Sequence, residues 1–165
     1  MSEPVLTAQD LLAWNEKTTA GWRQLLATHP ELLTLPCDIA GTKTVAELLQ
    51  HIVAVELRYA ERLADLPVSD YTAIPFDSAE SIYTTHDRAI LIIQQVLILK
   101  EYDWDATLEF PTRSVGTLKS NRKTILFHAM LHSIRHYAQL STLIRQHGCK
   151  VTLPGDYLFM QVEHA

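Results

Sequence analysis

Residues 123–148 read KTILFHAMLHSIRHYAQLSTLIRQHG and form the longest stretch of the chain with a helical hydrophobic pattern. His128, His132 and His136 recur within it at four-residue steps. On an α-helix each step turns the chain by roughly 40°, so the three imidazoles lie on one slowly drifting face. Apolar residues such as Met130 and Leu140 lie on or near that face, which predicts that the histidines are buried.

Three buried histidines allow two interpretations, because a buried imidazole needs partners for its ring nitrogens. In the first, each histidine is bonded to a carboxylate, a carbonyl or water, and the stripe is a polar seam in the core. In the second, histidines four residues apart place two ring nitrogens on one metal ion. His51 favours the second interpretation, since it lies on the apolar stripe of another predicted helix.

The other helices are predicted from capping residues and apolar periodicity. Thr44 and Glu47 have the spacing of a capping box at the start of the second helix. Ser120 is the expected cap of the last helix, and Gly148 suits the left-handed position that ends it. The predicted helices cover residues 7–28, 44–65, 77–101 and 120–147. Residues 103–119 break the helical period and predict a short hairpin or an extended loop.

Four long amphipathic helices predict an all-α fold. Its expected form is a four-helix bundle with long connections, in a single domain that spans residues 1–165. The formal net charge is −5 and no basic cluster occurs, so we do not expect nucleic acid as a partner. The longest apolar runs, such as AILII at residues 89–93, are too short to cross a membrane, so no membrane partner is expected.

The cysteine content and the first residues bear on the compartment. The only cysteines are Cys37 and Cys149, which are too few for a disulfide framework. The opening MSEPVLTAQD has neither the basic nor the apolar segment of an export signal. We therefore expect reduced thiols and a cytoplasmic location.

A helical bundle can build a metal site from side chains on facing helices. His51 together with two of the histidines of the last helix would supply three imidazole nitrogens and leave at least one coordination position open, as in catalytic sites. Neutral imidazole suits zinc, nickel, copper or ferrous iron. Spacing alone allows either His128 with His132 or His132 with His136. Glu56 lies roughly 140° round the helix from His51 and is therefore a poor direct ligand.

The segments LHSIRHYAQL and VAELLQHIVAVE, with their helix order and connections, resemble the DinB-like (DinB/YfiT-type) metalloenzyme family over nearly the whole chain. The resemblance implies a four-helix bundle with a three-histidine site for a divalent metal. Motif matching assigns the ligands to His51, His132 and His136. It leaves His128 outside the metal site and matches Gln139 to a glutamine that follows the last ligand.

The resemblance implies a metal-dependent enzyme of the thiol-dependent transferase or isomerase type, or a hydrolase. In the concrete version the metal holds a small thiol as a thiolate, which attacks an electrophile, so a small-molecule substrate and a low-molecular-weight thiol are expected. Zinc or nickel is the first expectation for the metal, with iron or copper as alternatives. Two other hypotheses remain, namely a non-catalytic metal-binding or stress-associated bundle, and a metal-free interaction module that forms a homodimer.

Several other polar or aromatic residues are interpreted as structural or solvent-exposed. Solvent exposure is predicted for His29, His86, His147 and His164. Surface charges are predicted at Lys43, Arg58 and Arg62. Aromatic core positions are predicted at Tyr59, Trp104 and Tyr157.

Overall fold

Four long helices and one small sheet make up most of the computed structural model, which describes residues 4–162. The helices are α1 Ala8–Thr28, α2 Val45–Leu63, α3 Ala79–Leu97 and α4 Arg122–Gln146. The strands are β1 Thr107–Pro111 and β2 Thr117–Asn121. Each helix lies within a few residues of its predicted bounds. Among the described residues, no helix has both the length and the apolar character needed to cross a membrane.

The cap of α2 differs in one detail from the predicted capping box. The Thr44 hydroxyl accepts a hydrogen bond from the backbone N–H of Glu47 at 3.2 Å, as expected. The Glu47 carboxylate, however, accepts from the N–H of Lys43 at 2.7 Å, one residue before the cap. The box is therefore half formed, and the carboxylate holds the incoming loop instead.

The α4 helix begins one residue later than its predicted cap implies. Asn121 is the cap, and its side-chain oxygen accepts from the N–H of Thr124 at 2.8 Å. Strand β2 continues through Ser120 to Asn121, which pairs with Thr107, so the helix starts only after this last strand residue. The register of the two strands thus decides where α4 starts.

The segment between α3 and α4 forms an antiparallel hairpin, which is the first of the two alternatives left open by the sequence. Phe110 on β1 faces Leu118 on β2, and Gly116 takes a positive φ of 78° in the connecting turn. The Phe110 ring meets the edge of the Tyr59 ring on α2 at a centroid distance of 5.5 Å. This contact holds the hairpin against α2.

The helices pack around one continuous apolar core. α2 packs against both α3 and α4, and α1 packs against α4 and α3. Leu48 and Ile52 of α2 are fully buried in this core. The rings of Trp22 on α1 and Tyr137 on α4 stack with centroids 5.7 Å apart. The contact between α2 and α4 determines how close His51 lies to His132 and His136.

Candidate metal centre

Three imidazoles meet at the contact between α2 and α4. His51 lies on α2, and His132 and His136 lie one turn apart on α4. The Nε2 atom of His132 is 3.1 Å from Nε2 of His51 and 3.1 Å from Nε2 of His136. One ring nitrogen from each residue lies within 4.8 Å of the other two. In residues 4–162 this is the only group of three or more histidine, cysteine or acidic side chains with such convergence.

His128 lies one turn before His132 and stands beside the cluster. Its ring is 5.4 Å from the ring of His132 and 5.4 Å from that of Tyr59, measured between centroids. The geometry therefore brings His51 together with the pair His132 and His136, and not with the pair His128 and His132. Spacing alone allowed either pair of α4, and only His132 with His136 lies together with His51 in the structure.

The arrangement of ring nitrogens fits a bound cation better than a set of hydrogen bonds. The Nε2 atom of His132 carries either one proton or one lone pair, so it can make a good hydrogen bond with only one of its two neighbours. In a tetrahedral site with metal–nitrogen bonds of about 2.0–2.1 Å, the ligand nitrogens lie about 3.3 Å apart. The observed separations of 3.1 Å are close to this value. A divalent ion would bind all three lone pairs.

Burial keeps these imidazoles neutral at physiological pH. Burial, together with the neighbouring histidines, lowers the pKa of His132 to about 2. Burial, followed by the charges of His136, Arg113 and Arg135, lowers the pKa of His51 to about 4. Since an imidazole must lose its proton before it binds a metal, neutral ligands face little competition from protons near pH 7.

Gln139 orients the ring of His136. The Nδ1–H of His136 donates to the side-chain oxygen of Gln139 at 2.7 Å, and the Arg135 guanidinium lies 3.2 Å from Nε2 of His136. Because Nδ1 carries the proton and a guanidinium can only donate, the lone pair of His136 is on Nε2, the nitrogen that belongs to the cluster. The buried Nδ1 of His132 has no such partner among the described residues. The family resemblance matched Gln139 to a glutamine that follows the last ligand, and in the structure this side chain contacts the ring of His136.

We expect Gln139→Ala to lower the affinity for a divalent metal by about 10-fold, because removing the partner of a metal-binding histidine typically costs between about 10- and 100-fold. The lower end applies since the Gln139 side chain is exposed. Competition with a chromophoric chelator measures the change. Gln139→Glu, which keeps the acceptor, serves as the control, and an unchanged affinity in Gln139→Ala would mean that this contact does not orient the ligand.

A cavity of about 570 Å³ opens above the triad. Its walls come from α2, α4, the hairpin turn and the segment around Tyr71, and they include Tyr59 and His128. A volume of this size lies within the range of small-molecule sites. A second concavity of about 560 Å³, beside Asp70 and Arg88, contains none of the histidines and is not part of this site.

Two predicted surface charges belong to this cavity. Arg58 and Arg62 are half-buried and line its wall, so their interpretation as simple surface charges is wrong. Tyr59 is likewise a half-buried wall residue. The signal was present in the sequence, because residues 51, 58 and 62 are separated by seven and four positions and therefore share one face of α2.

The histidines that were predicted to be solvent-exposed differ in their outcome. His29 and His147 are exposed, as predicted, and His164 lies outside the described residues. His86 was predicted to be exposed, but it is buried, and its Nδ1 lies 2.7 Å from a carboxylate oxygen of Glu56. The prediction overlooked the position of His86 on the apolar face of α3, and the sequence does not show which partner on another helix its ring meets.

Glu56 is the centre of a buried polar cluster to which each long helix contributes one residue. Its carboxylate accepts from Asn15 on α1 at 3.1 Å and from Ser133 on α4 at 2.6 Å, and it pairs with His86 on α3. Glu56 and His86 are 1% and 4% exposed, so the pair is removed from water. Glu56 was predicted to be a poor metal ligand, but its role in this cluster was not predicted. Polar residues at inward positions of all four helices are the pattern that could have indicated it.

Comparison with known proteins places this geometry in a family. A model of the DinB family matches residues 1–163, which is nearly the whole chain. No curated protein matches the chain. The matched range contains the histidine of α2 and both clustered histidines of α4. The chain therefore belongs to the DinB family.

Proposed function

We propose that residues 1–165 form a single domain with a four-helix-bundle arrangement, and that His51, His132 and His136 hold a divalent transition metal at its centre. Zinc or nickel is the preferred ion, with iron or copper as alternatives, because all three donors are neutral imidazoles. The observation that carries the proposal is the convergence of three ring nitrogens at the base of a cavity of about 570 Å³. Family membership supports it.

The proposed activity is a thiol-dependent transfer or isomerisation on a small molecule, with hydrolysis as the variant. A divalent ion with three protein ligands keeps a coordination position free and lowers the pKa of a thiol or water that occupies it. His51, His132 and His136 would hold the ion, and all three line the cavity. The other lining residues would orient the two reactants relative to one another.

His128 is the candidate proton acceptor for this chemistry. Its ring stands next to that of His132 on the cavity wall. Burial, followed by the charge of Arg135, lowers the pKa of His128 below its ordinary value of 6.5. The imidazole is therefore neutral at pH 7 and can take the proton that a thiol releases as its sulfur becomes a thiolate. The thiolate then forms a carbon–sulfur bond with the electrophile, and the leaving group departs with the electrons of its own bond.

Metal analysis and turnover together test the proposal. The purified protein is expected to carry about one transition-metal ion per chain, and His132→Ala to lose it. Turnover is followed as thioether formation from 1-chloro-2,4-dinitrobenzene with glutathione or cysteine, and as hydrolysis of p-nitrophenyl acetate. His147→Ala, on an exposed histidine at the end of α4, is the control. A chain without stoichiometric metal contradicts the metal site, and full metal loading without turnover of any of these substrates favours a non-catalytic metal-binding protein.

A further inference from the structure

Four arginines line the cavity above the triad, and its lining contains no acidic residue. They are Arg58 and Arg62 on α2, Arg113 in the hairpin turn, and Arg135 on α4. This basic lining contrasts with the formal net charge of −5 of the protein as a whole. We call these four residues the arginine wall.

The arginine wall lacks carboxylate partners among the described residues. The arginines that do form ion pairs within residues 4–162 are Arg23, Arg88 and Arg122, which all lie outside this cavity. The Nε of Arg58 is buried and has no hydrogen-bond partner in the described part of the chain. No direct ion pair within residues 4–162 therefore neutralises the positive charge that faces the cavity.

Aromatic rings hold two of these guanidinium groups in place. The Arg62 guanidinium lies 5.3 Å from the centre of the Tyr59 ring and 5.4 Å from that of Phe110. It also donates to the backbone carbonyl of Arg58 at 3.1 Å. The Arg113 guanidinium lies 3.8 Å from the centre of the Tyr71 ring. Another Arg62 N–H lies 3.5 Å from the backbone carbonyl of Pro111. A guanidinium has five N–H donors, so Arg62 keeps donors beyond these two contacts, and the stacking of Arg113 on Tyr71 leaves its N–H edge for an anion.

The wall extends away from the triad along α2. At about 1.5 Å per residue, Arg58 is about 10 Å and Arg62 about 16 Å along the helix axis from His51. Arg135 lies at the near end, since its guanidinium contacts the ring of His136. A bound molecule can thus place one end at the triad and another at Arg58 and Arg62.

We propose that the cavity binds a small organic acid with two or more carboxylates, and that Arg58 and Arg62 bind the end of the molecule remote from the triad. Guanidinium groups match carboxylates through paired hydrogen bonds, and a cavity of this volume accommodates a molecule larger than a simple inorganic anion. The inference rests on the proposed function only where it assigns the reacting end of the ligand to the triad. The anion site itself needs no metal, because it is formed by the arginine wall alone.

Calorimetric titration of the metal-free protein with glutarate and with tricarballylate tests this inference. Both acids are expected to bind, with affinity that falls as the salt concentration rises, whereas uncharged glutaramide is not. Arg58→Gln and Arg62→Gln should each weaken binding by about 10-fold, the effect of losing one charge-assisted hydrogen bond. Arg113→Gln, in an exposed turn, should also weaken binding and cannot be dismissed as a folding defect.

Two controls separate this inference from the alternatives. Arg23→Gln removes an arginine that pairs with Asp87 at 2.9 Å outside the cavity, so it should leave the affinity for glutarate unchanged. His132→Ala should abolish metal binding but keep glutarate binding, so a failure of the metal site does not count against the anion site. Equal binding of glutaramide, equal losses in Arg23→Gln, or binding of inorganic phosphate without either organic acid would each overturn the proposal.

Discussion

His132→Ala is expected to lower the affinity for zinc or nickel by about 100-fold or more, whereas His128→Ala should change it by less than about 3-fold. A metal–imidazole bond contributes about 3 kcal/mol when the binding free energy of a protein zinc site is divided among its ligands. His132 provides the central nitrogen of the cluster, 3.1 Å from each of the other two. His128 has no nitrogen in the cluster and stands on the cavity wall. Competition with a chromophoric chelator measures both affinities.

The comparison is informative because the two histidines are one turn apart on the same helix and both face the cavity. His51→Ala, which removes the ligand on α2, should resemble His132→Ala, and it should also abolish the increase in melting temperature that metal gives. Equal losses of affinity in His128→Ala and His132→Ala would mean that His128 and His132 hold the metal. In that case the motif match would have assigned the wrong histidines.

The helices could be predicted because they depend on local periodicity, whereas the choice of His51, His132 and His136 came from the family resemblance. Four-residue spacing places His132 and His136 on one face whatever surrounds the helix, and a capping residue acts within one turn. Errors of one to four residues arose where a helix meets a tertiary element. Ser120 has the chemistry of a cap, but β2 extends one residue further, so its last residue Asn121 is the cap.

The partners of polar residues could not be predicted, since they depend on which helix faces which. His86 lies on the apolar face of α3 together with Ile82 and Ala89, so its burial was visible in the periodicity. Its partner Glu56 is 30 residues away on α2, and a glutamate beyond His51 is equally consistent with a solvent-exposed position. The arginine wall was visible only in part, because spacing places Arg58 and Arg62 on the face of His51 but does not show that a cavity lies beside that face.

Glu56→Gln is expected to lower the free energy of unfolding by about 3 kcal/mol at pH 5.5, within the range observed when one partner of a buried ion pair is removed. The substitution keeps the shape but leaves the His86 imidazolium without a counter-charge in the core. Asn15 and Ser133 also lose a charged acceptor. Urea denaturation gives the free energy, and Glu101→Gln, at an exposed position outside the helices, should change it by less than about 0.5 kcal/mol.

The contributions of Glu56 and His86 to the free energy of unfolding should depend on pH in opposite senses. Burial raises the pKa of Glu56, but its contacts with His86, Ser133 and Asn15 outweigh this and lower the pKa below 4.5. Burial lowers the pKa of His86, but the Glu56 carboxylate outweighs this and raises the pKa above 6.5. The contribution of Glu56 is therefore present above pH 4.5 and is lost as the pH falls through its folded-state pKa. That of His86 is present below pH 6.5 and is lost as the pH rises through its folded-state pKa.

A double-mutant cycle isolates this pair from the other titrating histidines. His51 and His132 have lowered pKa values in the folded state, mainly through burial, so they destabilise the metal-free protein as the pH falls below 6.5. Their contribution cancels in the coupling energy obtained from Glu56→Gln, His86→Gln and the double variant. The coupling should be largest between about pH 4.5 and 6.5, because only within that window are both groups fully charged in the unfolded as well as the folded state, and it should decline as the pH passes through the folded-state pKa on either side. A coupling that stays constant from pH 4 to pH 9 would mean that Glu56 and His86 interact as a neutral hydrogen-bonded pair, and the four helices would then meet at a polar contact without an ion pair.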